Sequence, residues 1–265
     1  MNLIIEQGNT TTKVAVVENG HLKTSFLYDD FNVSDIAFLF LKYNLEHGIM
    51  STVTGTGRET LSFLESRLSR FILLDEKVPL PLNVQYQTPE TLGKDRLAAA
   101  VGAHYLEPGR DILVIDAGTA ITYELIEATG VYLGGNISPG MATRFKALNY
   151  YTRKLPLVEE TETVPFLGNC TQTAIQAGVV NGICYEMDGY INDLRLKYPE
   201  LLVFLTGGHT NYFAKRLKNI IFANINLVLI GLNRILEYNA ENKESSNSSW
   251  HSFSHPMGST GPKQH

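Results

Sequence analysis

Two short stretches carry the residue types from which a phosphate and metal site can be built. Asp116-Ala-Gly-Thr119 crowds a carboxylate, a glycine and a hydroxyl into one turn, and Glu6-Gln-Gly-Asn-Thr10 repeats acid, glycine and hydroxyl. A glycine lets backbone N–H groups come close to phosphate oxygens. A carboxylate beside it suits Mg²⁺, which takes a few carboxylate contacts and otherwise keeps waters and phosphate oxygens. Thr10, Thr119 and Thr122 add hydroxyl donors. Taken singly, each stretch reads equally as a turn that satisfies its own backbone. At one fixed offset of 110 residues, however, Glu6 falls on Asp116, Gly8 on Gly118, Thr12 on Thr122, and the turn Asn19-Gly20 on Thr129-Gly130. Acid, glycine, hydroxyl and turn in one register point to a duplicated domain. If the halves face each other, both acids converge on the cleft, an arrangement suited to a nucleoside triphosphate with Mg²⁺ or a monovalent cation.

The elements that must position these loops are strands. Residues 112–115 form an apolar run without polar alternation, the pattern of a strand covered on both faces. A second strand over 120–127 follows the loop, so the glycine does not open a helix as it does in a Rossmann fold. In the first half, 3–5, 13–17 and 21–27 read as strands, with Asn19-Gly20 as a type I′ hairpin turn. Apolar spacing then predicts a helix over 34–47 capped by Ser34, a strand at 50–54, a helix over 58–69 and a strand at 71–74. Residues 76–93 carry Pro79, Pro81 and Pro89 and read as a long ordered loop of the kind that is usually functional.

The second half continues with a helix over 139–150 that follows the glycine-rich stretch 134–140, an acidic loop over 155–168 and a long helix over 171–198. A strand at 201–205, helices at 211–218 and 227–238 complete it. Strands alternating with helices in both halves imply α/β architecture with mixed sheets flanked by helices. The expected division is 1–110, 111–240 and a polar tail at 241–265, disordered or appended, whose composition buries too little to order itself.

Two further stretches carry chemistry. Thr206-Gly-Gly208 lies between a strand and a helix and offers N–H groups at a positive dipole end. Gly93-Lys-Asp-Arg96 precedes an alanine-rich helical run. Weighed on residue types alone, Asp95 as a helix N-cap and Arg96 as a surface charge is the plainer reading. The functional one makes Asp95 a base for a substrate hydroxyl and Arg96 a two-pronged holder of a carboxylate. There is no Walker A motif, because Gly93-Lys94 is followed by Asp95 and lacks the earlier glycine.

Composition narrows the setting. The chain has 265 residues, 44% hydrophobic and 18% charged, with a net charge of −5, so no long-range field favours nucleic acid or an anionic membrane. No apolar run approaches the roughly 18 residues that span a bilayer. Residues 1–6 lack the basic and long apolar regions of a secretory leader. Cys170 and Cys184 are too few for a zinc cage or disulfide framework and read as small core residues. The expectation is a cytoplasmic protein.

Taken together, the motifs resemble those of the type III pantothenate kinases, within the superfamily of acetate and sugar kinases, heat-shock chaperones and actin. The matching elements are Glu6-Gln-Gly-Asn-Thr-Thr-Thr-Lys13, Gly93-Lys-Asp-Arg96, Asp116-Ala-Gly-Thr-Ala-Ile-Thr122, Gly134-Gly-Asn-Ile-Ser-Pro-Gly140 and Leu205-Thr-Gly-Gly208. The resemblance implies duplicated actin-like (ribonuclease H-like) domains and ATP-dependent phosphorylation of pantothenate, the first step towards coenzyme A. It further implies Asp95 as general base, with Tyr86, Gly93, Lys94, Asp95, Arg96 and Thr171 contacting pantothenate. ATP contacts would come from Glu6, Gln7, Gly8, Asn9, Thr10, Thr11, Thr12, Lys13 and Thr119. Asp116 would bind a monovalent cation (K⁺ or NH₄⁺) and Glu6 would bind Mg²⁺. A homodimer is implied, with Thr171 near its interface.

This chain departs from the family in one place: the first motif usually begins with Asp, and here it is Glu6. The extra methylene obliges the carboxylate to reach an octahedral Mg²⁺ from a retracted backbone or through a water. The family's glycine-x-x-threonine element survives only in part, as Gly168-Asn-Cys-Thr171. Two other readings are a non-catalytic nucleotide-binding regulator and a sugar kinase of the same superfamily. A regulator has no need of Asp95 and Arg96 beside Tyr86, and the acid-and-asparagine loop of a sugar kinase is not found.

Overall fold

The computed structural model describes residues 1–250, with side chains through 242. The first strands are β1 (Asn2–Gln7), β2 (Thr12–Glu18) and β3 (His21–Tyr28), followed by helix α1 (Val33–Lys42), β4 (His47–Thr52), α2 (Arg58–Arg67) and β5 (Arg70–Leu73). They build a five-stranded sheet ordered β3-β2-β1-β4-β5, antiparallel across β1, β2 and β3 and parallel from β1 outward to β5.

The second sheet repeats this plan. After β6 (Asn83–Val84), a 3-10 turn at Pro89–Thr91 and α3 (Lys94–Leu106) come β7 (Ile112–Ala117), β8 (Ala120–Ile126) and β9 (Val131–Pro139). Then follow α4 (Met141–Tyr151), α5 (Thr171–Lys197), β10 (Leu202–Thr206), α6 (Thr210–Ala214), β11 (Phe222–Ala223) and α7 (Leu227–Trp250). The order is β11-β10-β7-β8-β9-β6, with β7, β8 and β9 again an antiparallel meander and β10 and β11 parallel to β7. The expected α/β architecture of two mixed sheets flanked by helices is what the chain forms.

The duplication is visible in hydrogen-bond register, and it is not gapless. Glu6 faces Lys13 across the first hairpin, whereas Asp116 faces Thr122 across the second. Lys13, not Thr12, is therefore the structural counterpart of Thr122. One residue is missing from the second loop. Each hairpin also carries a bulge at the matching place, between Val16 and Val17 and between Leu125 and Ile126. The turn after Glu127 is longer than Asn19-Gly20 and returns the two copies to their common offset, with Glu127 N–H donating to the Val131 carbonyl at 2.9 Å.

Three apolar clusters hold the layers. α1 and α2 cover one face of the first sheet through Ile36, Leu39 and Leu64, and α4, α5 and α6 cover one face of the second through Phe145, Ile183 and Phe213. Between the sheets lie α3 and α7, joined with Ile4, Ile49, Val114 and Phe204 in one cluster. The two helices cross in backbone contact. A Cβ on Gly231 would stand 1.7 Å from the Ala98 carbonyl oxygen, and one on Gly102 would stand 2.3 Å from that of Leu227. This crossing fixes α3, and with it the N-terminal turn that carries Asp95 and Arg96.

Several boundaries differ from the sequence expectation. Asn32, not Ser34, caps α1: its side chain accepts from Ser34 N–H, and Asp35 returns the bond to Asn32 N–H. That helix stops at Lys42 because the chain turns into β4 at His47. Residues 134–139, the glycine-rich stretch before α4, are the end of strand β9, and the helix expected from Pro139 starts at Met141. The helix expected at 211–218 is the shorter α6. α7 runs on to Trp250, past position 238, since Ala240, Glu241, Lys243 and Glu244 are good helix formers despite low hydrophobicity. Residues 251–265 of the expected tail lie outside the described residues. Cys184 is buried as expected, but Cys170 is exposed at the N-cap of α5.

Candidate active site

The two acid-glycine loops meet across a cavity of about 330 Å³. From the first hairpin come Glu6, Gly8, Asn9, Thr10, Thr11 and Lys13; from the second come Asp116, Gly118, Thr119 and Thr122. Asp95 and Arg96 enter from the start of α3, and Thr206, Gly207 and Gly208 from the end of β10. The loops touch directly, with Thr10 Oγ1 3.4 Å from Thr119 Oγ1. Lys13 Nζ reaches over to the Ile225 carbonyl at 3.2 Å, tying the first hairpin to the segment before α7.

Gly207 makes the third loop possible. Its φ of +93° is a conformation that side-chain-bearing residues rarely adopt, and a Cβ there would sit 2.4 Å from Asp116 Oδ1. The Thr206-Gly207 backbone thus lies directly against the Asp116 carboxylate.

Three carboxylates share this cavity and act on one another. Burial pushes the Asp116 carboxyl up to about 7, with Glu6 and Asp95 adding to the rise and Lys13 opposing it. Glu6 is raised as well, by burial first, against Lys13 and with a contribution from Asp95. Glu6 Oε2 is buried without a hydrogen-bond partner, 3.8 Å from Lys13 Nζ. A cation among these acids would relieve both the burial cost and the mutual repulsion. Among the described residues no group of three or more His, Cys, Asp or Glu is placed to hold a metal alone. The donor set therefore fits a cation that takes part of its shell from Asp116 and Glu6 and the rest from phosphate and water.

Asp95 is not the cap of α3. Gly93 occupies that position, and Asp95 stands in the first turn with Oδ1 accepting from Arg96 N–H at 2.8 Å. Nor is Arg96 a surface charge: it is 7% exposed, and Glu124, fully buried on β8, holds it. Arg96 Nε donates to Glu124 Oε1 at 2.6 Å and Nη2 to Oε2 at 2.8 Å, while Tyr132 donates its hydroxyl to Oε2 at 2.5 Å. The two donors that a bidentate clamp on a substrate carboxylate would use are thus engaged inside the protein. Tyr86 bears on the guanidinium as well, as one of the groups that holds Arg96 cationic. Tyr86 lies beside it, with the Arg96 guanidinium 5.9 Å from its ring centre and the Tyr132 ring 6.4 Å away.

Tyr86 arrives there because the proline-bounded loop forms the outermost strand of the second sheet. Asn83 N–H donates to the Gly130 carbonyl and Gln85 N–H to that of Tyr132, both at 2.9 Å. Other sequence candidates lie apart from the cavity. Gln7 Oε1 accepts from the hydroxyls of Thr52 and Thr56, Thr12 is buried in β2, and Lys94 Nζ points to the Pro89 carbonyl at 3.5 Å. Thr171 opens α5 beside a separate apolar groove lined by Ala147, Leu148, Tyr151 and Ile175. Within one chain it does not share the cavity of Asp95. Glu124 was missed by reading the motifs alone, yet the signal was present: an acid in an otherwise apolar strand must find a partner if that strand is buried.

The comparisons with known proteins bear on this cleft as a whole. Residues 2–193 match the family model described as type III pantothenate kinase. The chain belongs to the type III pantothenate kinase family. A curated type III pantothenate kinase from Phocaeicola vulgatus is 50% identical over 239 residues, covering 90% of this chain and 99% of the relative. Among solved structures, a Campylobacter jejuni protein described as a Baf family transcriptional activator is similar at 24% identity and a TM-score of 0.59, covering 90% of this chain and 99% of that one. A Sinorhizobium meliloti protein described as a 2-dehydro-3-deoxygalactonokinase gives 11% identity and a TM-score of 0.55, over 90% and 99% of the two chains. These two speak to the fold alone, an actin-like kinase fold shared by proteins of differing description. As a member of its family the chain is a kinase. No helix among the described residues is long and apolar enough to cross a membrane.

Proposed function

We propose that this kinase transfers the γ-phosphoryl group of ATP to the hydroxyl of pantothenate across the cleft between residues 1–110 and 111–240. The observation that carries the assignment of roles is Asp95, brought by α3 into the same cavity as Glu6, Asp116 and the glycine loops. Asp95 accepts the proton of the attacking hydroxyl as its oxygen bonds to phosphorus. The bond from phosphorus to the bridging oxygen of ADP breaks, and the electron pair leaves with ADP. Gly8, Thr10, Gly118, Thr119 and the Gly207-Gly208 backbone line the space for the phosphates. Arg96 meets the pantothenate carboxylate, and Tyr86 packs beside it. Asp116 would hold a monovalent cation and Glu6 would hold Mg²⁺, directly or through water; when bound, these ions supply positive charge to the phosphates. Positioning and electrostatics then provide most of the rate.

Thr171 reaches pantothenate only if a second copy is present, and we place that copy against the groove between α4 and α5. The test is formation of phosphopantothenate from pantothenate and ATP in the presence of Mg²⁺ and K⁺. Product is expected. No product from pantothenate, with turnover of a sugar, would overturn the substrate assignment.

A further inference from the structure

A second polar cluster lies behind the phosphate loops, on the other side of β8. Glu186, in the middle of α5, gathers donors from three other elements. Tyr123 of β8 donates to Oε1 at 2.8 Å; Ser138 of β9 donates to Oε2 at 3.1 Å; Arg144 of α4 donates from Nη2 to Oε2 at 2.6 Å. Arg144 also donates from Nη2 to Ser138 Oγ and from Nε to the Pro139 carbonyl, both at 2.7 Å. This makes a charge-assisted clasp across the junction where β9 becomes α4. None of these side chains lines the catalytic cavity.

The clasp nevertheless ends on that cavity. The residue after Pro139 is Gly140, whose N–H donates to the Thr119 carbonyl at 3.0 Å. Thr143 Oγ1, one residue before Arg144, donates to the same carbonyl at 2.8 Å. Thr119 is thus held at its backbone by the first turn of α4, and its hydroxyl is what faces Thr10 across the cleft. Thr119 is itself exposed.

We infer that Arg144 and Glu186 are positioning residues for the ATP loop at Gly118-Thr119, acting through the β9–α4 junction. This rests on the reading of that loop as an ATP contact. Without the clasp, the first turn of α4 is released and the Thr119 carbonyl loses its fixed donors. The loop then spends part of its time out of place, and small misplacements near a reacting phosphate are costly.

The test compares Arg144→Met, Arg144→Lys, Glu186→Gln and Thr119→Ala by steady-state kinetics for each substrate, with melting temperature measured alongside. Glu186→Gln should raise KM for ATP by about tenfold and leave KM for pantothenate within about twofold, and Arg144→Met, whose side chain also lines the groove between α4 and α5, should raise KM for ATP to the same degree. Arg144→Lys keeps the charge and one donor and should recover part of that loss, a graded response that a loss of stability alone would not give. A fall in kcat/KM that is equal for both substrates, or a lowered melting temperature with KM for ATP unchanged, would overturn the inference. Thr119→Ala separates the two levels: if it leaves KM for ATP unchanged, the reading of the loop fails. If it raises KM for ATP and the clasp variants do not, only the positioning role fails.

Discussion

Glu124 and Arg96 form a fully internal ion pair, closed by bonds of 2.6 and 2.8 Å between two side chains at most 7% exposed. Burial raises the Glu124 carboxyl while Arg96 and Tyr132 pull it down, and Arg96 is held firmly cationic by the same contacts. The pair fixes which face of Arg96 reaches the cleft. It also cancels the positive charge of Arg96 locally, which leaves Lys13, among the described residues lining the cavity, to balance Glu6, Asp95 and Asp116.

Breaking that pair should be costly twice over. Glu124→Ala leaves a buried guanidinium without its partner, and such a loss is worth about 3–5 kcal/mol. Urea denaturation should show a lowered midpoint, and the surviving folded enzyme should show a raised KM for pantothenate. Unchanged stability would mean that Arg96 finds water or another partner, contrary to the geometry.

Asp116 sets a dependence on pH. Its folded-state carboxyl is raised to about 7 from an ordinary 3.8. The folded protein therefore holds a proton that the unfolded chain has released over this window, so stability falls as pH rises from about 4 towards 7 and levels off above it. Glu6, also raised, adds in the same direction. Melting of the cation-free protein between pH 5 and 8 should show the decline, and Asp116→Asn should flatten it and melt higher at pH 8. Equal slopes for the two proteins would contradict the burial argument. Turnover should be lost in Asp116→Asn, because the stabilising change removes the carboxylate proposed to hold the monovalent cation.

Gly207 and Gly208 should differ sharply on substitution. Alanine at Gly207 puts a Cβ 2.4 Å from Asp116 Oδ1 and 2.7 Å from the Ala117 backbone, at a φ of +93°. Alanine at Gly208 meets nothing within 4 Å. Gly207→Ala should lower the melting temperature, with about 1–3 kcal/mol of strain, and abolish turnover. Gly208→Ala should fold as stably as the parent. Equal melting temperatures would show that the third loop relaxes more freely than its contacts allow.

Glu6 offers a test of the methylene that distinguishes this chain from the usual first motif. Glu6→Asp withdraws the carboxylate towards β1 and away from Lys13. The Mg²⁺ concentration for half-maximal turnover should shift by at least severalfold in either direction, since Mg²⁺ tolerates little distortion of its octahedron. An unchanged Mg²⁺ dependence would place Glu6 outside the cation's reach.

The sequence made the two acid-glycine loops legible because each needs particular residue types at fixed spacing, and the duplication repeated them. Their strands were legible for the same reason, as at 112–115, where an unbroken apolar run leaves no other place than a covered sheet. What escaped depended on distance in the chain. Glu124 and Arg96 lie 28 residues apart, and no local pattern announces that they will bond. The gap in the repeat, which makes Lys13 the counterpart of Thr122, appears only when hydrogen bonds fix the register. Asn32 took the capping role from Ser34 by two residues, a shift that polar clusters near helix starts commonly allow.

The most direct test of the whole account is Asp95→Asn, assayed for phosphopantothenate formation and, separately, for ATP affinity by calorimetry. The substitution keeps size and the bond to Arg96 N–H but removes the proton acceptor. Turnover should fall by about 10²–10⁴-fold, the usual contribution of a positioned base, with ATP affinity within about twofold of the parent. Turnover near that of the parent would contradict the assignment of Asp95 and, with it, the direction of phosphoryl transfer across this cleft.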